Sequence, residues 1–180
     1  MKTNCRELSS ANLGALIDGL LEHSRSERVL IKKKSIIDTR SLKQDIESLL
    51  VIDSTCQINL ITELDRIEVN KQAINQIMLN LISNAIKYNN KEITKIDIGI
   101  TEDIDKYHFF IKDNGPGIAL KDYGKIFKMF EVIASEDKYG NQNSGIGLAT
   151  VKKLVEDQGG SIAVDSELDQ GAKFTFTINK

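Results

Sequence analysis

The run DNGPG at residues 113–117 joins a carboxylate to a stretch of chain that can turn sharply. It follows a segment with the alternating pattern of a strand, so Asp113 is expected at the end of that strand. Gly115 and Gly117 carry no Cβ and let the backbone approach a ligand closely. An ionised carboxylate accepts a hydrogen bond from an exocyclic amine such as that of adenine, and charge-assisted bonds are among the stronger ones. A plain turn containing Pro116 is the alternative for this run taken alone.

Four polar side chains lie along one flank of a helix predicted over residues 71–89. The apolar stripe of this helix consists of Ile74, Ile77, Met78, Leu81, Ile82 and Ala85. Beside the stripe lie Asn80, Asn84, Lys87 and Tyr88, which places polar groups at the rim of the core. An amide oxygen suits Mg²⁺, and a lysine one turn further can neutralise phosphate oxygens. A solvated helix face is the alternative interpretation.

Glycines also stand at the predicted start of a helix, in the run SGIGLAT at residues 144–150. Unpaired amides and the positive end of the helix dipole attract phosphate there, and glycines let the chain come close. No βαβ strand precedes this run, and it lacks a Gly-Lys-Ser/Thr ending. Rossmann and P-loop sites are therefore excluded.

The elements that must position these runs are read from hydrophobic periodicity. Helices are predicted over residues 41–51, 71–89 and 145–157. Strands are predicted over residues 35–39, 57–62, 66–69, 95–101, 106–112, 161–167 and 172–178, and hairpins join 95–101 to 106–112 and the last two strands to each other. A further amphipathic helix is predicted over residues 9–24. A domain boundary near Arg28 then divides the chain into residues 1–27 and 28–180.

The composition and charge of the chain exclude several classes of function. The 180 residues suffice for one well-buried domain, and 41% hydrophobic and 28% charged residues are typical of a globular protein. No run approaches the ~18 apolar residues of a membrane span, and no signal peptide is evident, which predicts a cytoplasmic location for this domain and leaves open a membrane anchor in the full-length protein. Cys5 and Cys56 match no metal-ligand spacing. A net charge of −2 offers no basic field for nucleic acid, so phosphate binding would depend on local geometry.

In their order and approximate spacing, these runs resemble the ATP-binding catalytic domain of sensor histidine kinases. Residues 80–88 (NLISNAIKY) are similar to its asparagine box, 113–117 to its first glycine box, 126–131 (IFKMFE) to its phenylalanine box and 144–150 to its second glycine box. The resemblance covers about residues 28–180. It implies an α/β two-layer sandwich of the Bergerat (GHKL) type, a mixed β-sheet covered on one face by three helices, with ATP between the helices and a lid.

The resemblance also implies roles for individual residues. Asn84 would coordinate Mg²⁺ with support from Asn80, and Asn80 and Lys87 would serve catalysis. The nucleotide-binding set would consist of Asn84, Lys87, Tyr88, Asp113, Gly115, Gly117, Ile118, Phe130, Gly145, Ile146, Gly147 and Leu148. Asp113 would accept a hydrogen bond from adenine. The mobile lid would span residues 131–144; for Phe127 and Phe130, packing at its hinge is favoured over nucleotide contact.

Two departures from the patterns of related families bear on function. Asn80 stands where gyrase and Hsp90-type ATPases have a glutamate that activates water, and an amide cannot take a proton as a carboxylate can, which favours transfer over hydrolysis. The closing hairpin has Ala172 after Gly171, where the histidine kinases often have threonine. This removes one possible hydroxyl contact near adenine.

The phosphoacceptor of the family lies on a helix and is followed by an acidic residue, and neither His23 nor His108 has these surroundings. Residues 16–25 instead resemble the end of the second helix of the dimerisation and phosphotransfer hairpin. We therefore expect the acceptor helix upstream, the dimerisation helices of the same or a partner chain and a response regulator receiver domain as partners, and a homodimeric full-length protein. The alternatives are a gyrase-type ATPase, an anti-sigma serine kinase and an ATP-binding module without catalysis.

Overall fold

The structure is a computed structural model that describes residues 34–50, 55–133, 140 and 144–180. The helix predicted over residues 9–24, the boundary near Arg28, and both Cys5 and His23 lie outside the described residues. In the described part of the chain the helices are α1 (Thr39–Leu49), α2 (Lys71–Lys87) and α3 (Gly147–Asp157), with a 3₁₀ turn at Leu120–Asp122. The strands are β1 (Ser35–Asp38), β2 (Cys56–Thr62), β3 (Arg66–Val69), β4 (Thr94–Glu102), β5 (Lys106–Asp113), β6 (Ile162–Glu167) and β7 (Gly171–Asn179).

Five strands form one mixed sheet in the order β2-β4-β5-β7-β6. Strand β2 runs parallel to β4, and the other neighbours are antiparallel, including the two predicted hairpins β4–β5 and β6–β7. Within the part of the chain that the structure describes, β1 and β3 pair with each other alone, in a separate antiparallel ribbon. The mixed α/β fold is confirmed, while the separate ribbon was not anticipated by the strand pattern.

The core lies between one face of the large sheet and the helices. Period-two alternation puts Ile98, Phe109 and Phe176 on that face, where each is at most 1% exposed. The Phe109 and Phe176 rings stack with centroids 4.8 Å apart. From the helix side, α2 contributes Ile74, Ile77, Met78, Leu81 and Ile82, the stripe that the sequence pattern predicts. None of the described helices combines the length and apolar character needed to cross a bilayer.

Helix boundaries differ from the predicted ones by two residues, each for a local reason. Asp38 caps α1 by accepting hydrogen bonds from the Arg40 and Ser41 amides, which starts the helix early. Gly145 has φ +68°, a left-handed conformation that cannot belong to a right-handed helix, so α3 begins at Gly147. Helix α2 ends at Lys87 with Tyr88 as its C-cap.

Replacing Asn70 with Ala should lower the free energy of unfolding by about 1–2 kcal/mol. Asn70 is 3% exposed, and its side-chain oxygen caps α2 by accepting from the Gln72 and Ala73 amides, each at 3.1 Å. Urea unfolding measures the loss, with Gln72→Ala, at an exposed position of the same turn, as the control. Equal stabilities of the two variants would contradict the capping role.

Candidate functional site

Asp113 is the last residue of β5 and is half-buried. Its Oδ1 accepts hydrogen bonds from the Gly115 amide at 2.8 Å and the Ala172 amide at 3.3 Å. No donor among the described residues bonds to its Oδ2. The carboxylate is thus oriented by backbone through one oxygen, and the other oxygen is left to accept from a ligand.

Burial raises the pKa of the Asp113 carboxyl above its ordinary value, and the Gly115 and Ala172 amides only partly oppose this effect. The native state therefore binds this proton more tightly than the unfolded chain does. The group's contribution to stability is fully present below the pKa of an unfolded aspartate, about 3.9, and is lost as the pH rises through the raised native pKa. At neutral pH the ionised carboxylate costs stability, which is typical of a group kept for function rather than for folding.

The loop after Asp113 lies directly on the backbone of the β6–β7 hairpin. Gly117 has φ +72°, and a Cβ there would lie 2.1 Å from the Glu167 carbonyl oxygen. Gly171 has φ +86°, and a Cβ there would lie 2.0 Å from the Asp113 carbonyl oxygen. Both positions therefore require glycine, because any side chain would force the loop and the hairpin apart.

On α2 the predicted polar flank faces the beginning of α3. Asn80 donates from Nδ2 to the Gln76 carbonyl at 2.9 Å, and its Oδ1 lies 3.1 Å from where a Cβ on Gly147 would be. Asn84 is half-buried one turn further along the same side of the helix, and Lys87 is exposed. The structure thus brings Asn80 next to the second glycine run.

A pair of amide side chains ties the end of α2 to the Asp113 loop. Asn89 is 4% exposed and donates from Nδ2 to Asn114 Oδ1 at 2.9 Å, and the same oxygen accepts from the Lys95 amide at 2.9 Å. The Asn114 amide nitrogen donates to the Ile93 carbonyl at 2.9 Å. Because Asn89 is fixed against the loop, its neighbour Tyr88 is also held close to the loop. Residue patterns did not identify this pair, because Asn89 and Asn114 lie 25 positions apart in the sequence.

Helix α3 begins without a side-chain cap. Its N-cap residue is Ile146, which makes no capping bond, and its first turn carries no acidic residue. The amides of the first turn have no carbonyl partner within the helix and lie at the positive end of its dipole, so they can bind an anion. Ile146 is 1% exposed, so it can meet a ligand only through its backbone, whereas Leu148 is half-buried and packs against the core.

Packing at the phenylalanine box differs between its two rings. Phe127 packs against the core and meets Phe174 edge-on, with centroids 6.4 Å apart, as predicted. The same prediction is wrong for Phe130, whose side chain is 53% exposed. Phe130 has φ +63° and donates its amide to the Gly145 carbonyl at 3.0 Å, and this backbone contact holds its ring at the surface. Ile118, half-buried, packs against the core.

The predicted lid over residues 131–144 lies mostly outside the described residues, which omit 134–139 and 141–143. Among the described residues, no group of three His, Cys, Asp or Glu side chains could hold a metal ion. Amide oxygens, such as those of the asparagines on α2, are hard ligands that suit a divalent cation. A cavity of about 290 Å³ is lined by Lys121, Asp122, Lys125, Glu131, Val132 and Ile133, of which the last three belong to the predicted lid.

Comparison with known proteins gives a family and a fold. The family described as histidine kinase-, DNA gyrase B-, and HSP90-like ATPase matches residues 69–180. The chain is 34% identical over 167 residues to cyanobacterial phytochrome B of Nostoc sp. PCC 7120, which covers 91% of this chain and 22% of that protein. It is 29% identical over 182 residues to the aerobic respiration control sensor protein ArcB of Escherichia coli K12, covering 96% of this chain and 23% of that protein.

Solved structures of histidine kinases have a similar fold. Full-length ShkA in complex with AMPPNP superimposes with a TM-score of 0.76 at 25% identity, over 94% of this chain and 36% of that one. Histidine kinase ThkA in complex with response regulator protein TrrA gives a TM-score of 0.69 at 23% identity, over 97% of this chain and 48% of that one. The chain thus has the fold of histidine kinase catalytic domains and spans less than a quarter of the length of the two curated relatives named above.

Proposed function

Because this chain belongs to the family of histidine kinase-, DNA gyrase B- and HSP90-like ATPases, we propose that it is the ATP-binding catalytic part of a two-component sensor histidine kinase. Its reaction is transfer of the γ-phosphate of ATP to a histidine on a dimerisation helix. The observations that carry this proposal are an Asp113 carboxylate with one oxygen unbonded, in a loop tied to the end of α2 through Asn89, and an uncapped α3 beside Asn80 of the same helix.

Each end of ATP has a matching set of residues. Asp113 accepts from the exocyclic amine of adenine, and the loop over Gly115, Gly117 and Ile118 forms the adjoining wall. The amides at Gly147 and Leu148, preceded by the left-handed Gly145, bind phosphate oxygens. Mg²⁺, when bound with ATP, neutralises charge on the phosphates.

On α2, Asn84 is the proposed metal ligand, and Asn80 supports it from one turn earlier. Lys87 and Tyr88 reach the phosphates or the nucleotide. The side chain of Asn80 is an amide, which cannot remove a proton from water, so it does not promote hydrolysis. Its proposed role is to orient oxygen atoms. Catalysis then rests on positioning and on electrostatic stabilisation.

The acceptor histidine is proposed to lie on a helical hairpin whose second helix ends in residues 1–27. His108 does not suit this role, since it lies in β5 with its Nε2 2.7 Å from Asp103 Oδ2. That pairing holds the pKa of Asp103 at about 2. A response regulator receiver domain and a second copy of the full-length protein complete the proposed partners, in the cytoplasm.

The proposed reaction is tested by incubating the chain, and a version extended upstream to include the preceding helix, with ATP labelled at the γ-phosphate. Acid-labile, alkali-stable label on the extended protein and none on this chain is the expected result. Release of inorganic phosphate without labelled protein would favour a gyrase-type ATPase. Acid-stable label on an added anti-sigma antagonist would favour a serine kinase.

Affinity for ATP should fall as the pH falls through the raised pKa of Asp113, because the protonated carboxyl is a weaker acceptor for the adenine amine. The fall should begin at a higher pH than the value of about 3.9 for an ordinary aspartate. Calorimetric titration over a pH series measures it. The Asp113→Asn variant is the control, because it retains the titration of the nucleotide phosphates but lacks the carboxyl. Parallel profiles for the two proteins would contradict the assignment.

A further inference from the structure

The Tyr123 hydroxyl hydrogen-bonds to the backbone of an edge strand of the sheet, next to the adenine-binding loop. Among the described strands β6 lies at the edge of the sheet, so the Ser166 backbone groups that point away from β7 have no partner in any of those strands. The Ser166 amide donates to the Tyr123 hydroxyl at 2.6 Å, and that hydroxyl donates to the Ser166 carbonyl. One phenol therefore satisfies both backbone groups of a single edge residue.

The Ser166 side chain connects the same edge to the loop. Its hydroxyl accepts from the Ile118 amide at 2.8 Å and donates to the Gly171 carbonyl at 2.7 Å. On the other side of the turn, the Asp169 amide donates to the Pro116 carbonyl at 2.8 Å. The loop over residues 115–118 is thus bonded to the hairpin at two points, and the first of them passes through Ser166.

We propose that Tyr123 and Ser166 act as positioning residues that fix the adenine-binding loop against the β6–β7 hairpin. The proposal rests on the function proposed above. Tyr123 acts on Ser166, Ser166 holds Ile118 and Gly171, and Gly171 precedes the Ala172 amide that orients Asp113. Neither residue belongs to the set proposed above to contact the nucleotide. Because the chain of bonds ends at the adenine carboxylate, it governs adenine binding and leaves the phosphate end unaffected.

The test compares Tyr123→Phe, Ser166→Ala and the double variant with wild type, by calorimetric titration of a non-hydrolysable ATP analogue and of ADP. Tyr123→Phe should weaken both nucleotides by the same factor, about fivefold, with the Mg²⁺ dependence unchanged. Ser166→Ala should do the same. The double variant should lose less than the product of the two factors, since both act through one network.

Tyr107→Phe is the matched control. The Tyr107 hydroxyl also accepts from a backbone amide, that of Glu68 at 3.1 Å, but it lies at the opposite end of β5 from Asp113. This variant should lower the melting temperature and leave nucleotide affinity unchanged. Three results would overturn this inference while leaving the proposed function intact. They are an unchanged nucleotide affinity in Tyr123→Phe, an equal loss of affinity in Tyr107→Phe, and a loss of affinity for the triphosphate without one for ADP. Failure of the wild-type chain to bind adenine nucleotides would overturn the proposed function and this inference with it.

Discussion

Replacing Asp113 with Asn should weaken binding of a non-hydrolysable ATP analogue by about ten- to a hundredfold or more, from the loss of about 1.5–3 kcal/mol. The oxygen of the introduced side-chain amide can still accept from the Gly115 and Ala172 amides, which bond to Oδ1 in the native protein. In that orientation the NH₂ group of the new side chain replaces Oδ2 and meets the amine of adenine as donor against donor. Isothermal titration at neutral pH measures the loss.

The same substitution should leave the protein as stable as wild type, or more so, at neutral pH. Burial raises the pKa of this carboxyl, so its ionised form costs stability that a neutral amide does not. The difference should shrink as the pH falls and the wild-type carboxyl becomes protonated. Thermal unfolding at several pH values tests this. Unchanged affinity for the analogue, or loss of affinity explained by unfolding, would refute the adenine-binding role of Asp113.

Replacing Asn84 with Ala should abolish the dependence of nucleotide binding on Mg²⁺ while leaving the fold intact. Asn84 is half-buried on α2, and its amide oxygen, a hard ligand, is the proposed protein ligand of the ion. Without it, titrations in Mg²⁺ and in chelator should give the same affinity. Asn59→Ala is the matched control, since Asn59 is exposed on β2 and bonded to Asp97.

The control variant should keep the wild-type difference between titrations with and without Mg²⁺. An Asn84→Ala protein that binds the nucleotide as wild type does, with the same dependence on the ion, would remove Asn84 from the metal site. Asn80 would then be the remaining amide of this helix that contacts the start of α3.

Much of the framework could be predicted because its signals are local. The apolar stripe of α2 and the alternation of β5 specify their own elements, and the glycines at 117 and 171 lie where backbone meets backbone. Separation of β1 and β3 into their own ribbon could not be predicted, since a strand pattern does not identify its partner. The left-handed Phe130 was also missed, because its conformation depends on a bond to the distant Gly145.

The contacts that support the site could not be predicted from the sequence. Asn89 with Asn114, and Tyr123 with Ser166, are pairs separated by 25 and 43 positions, and none of the four residues is unusual in its own segment. Their importance arises only when the fold brings a loop and an edge together. The motif residues, in contrast, are marked by type and spacing within one run.

Amide NMR spectra of the ¹⁵N-labelled chain, recorded with Mg²⁺ and a non-hydrolysable ATP analogue, locate the nucleotide directly. The largest shift changes should fall on three segments: residues 80–88 of the α2 region, residues 113–118 and residues 145–148. Binding whose largest changes instead surround Lys121 and Lys125, which line the cavity but lie outside the predicted lid, would contradict the proposed site, and so would the absence of any change at saturating nucleotide.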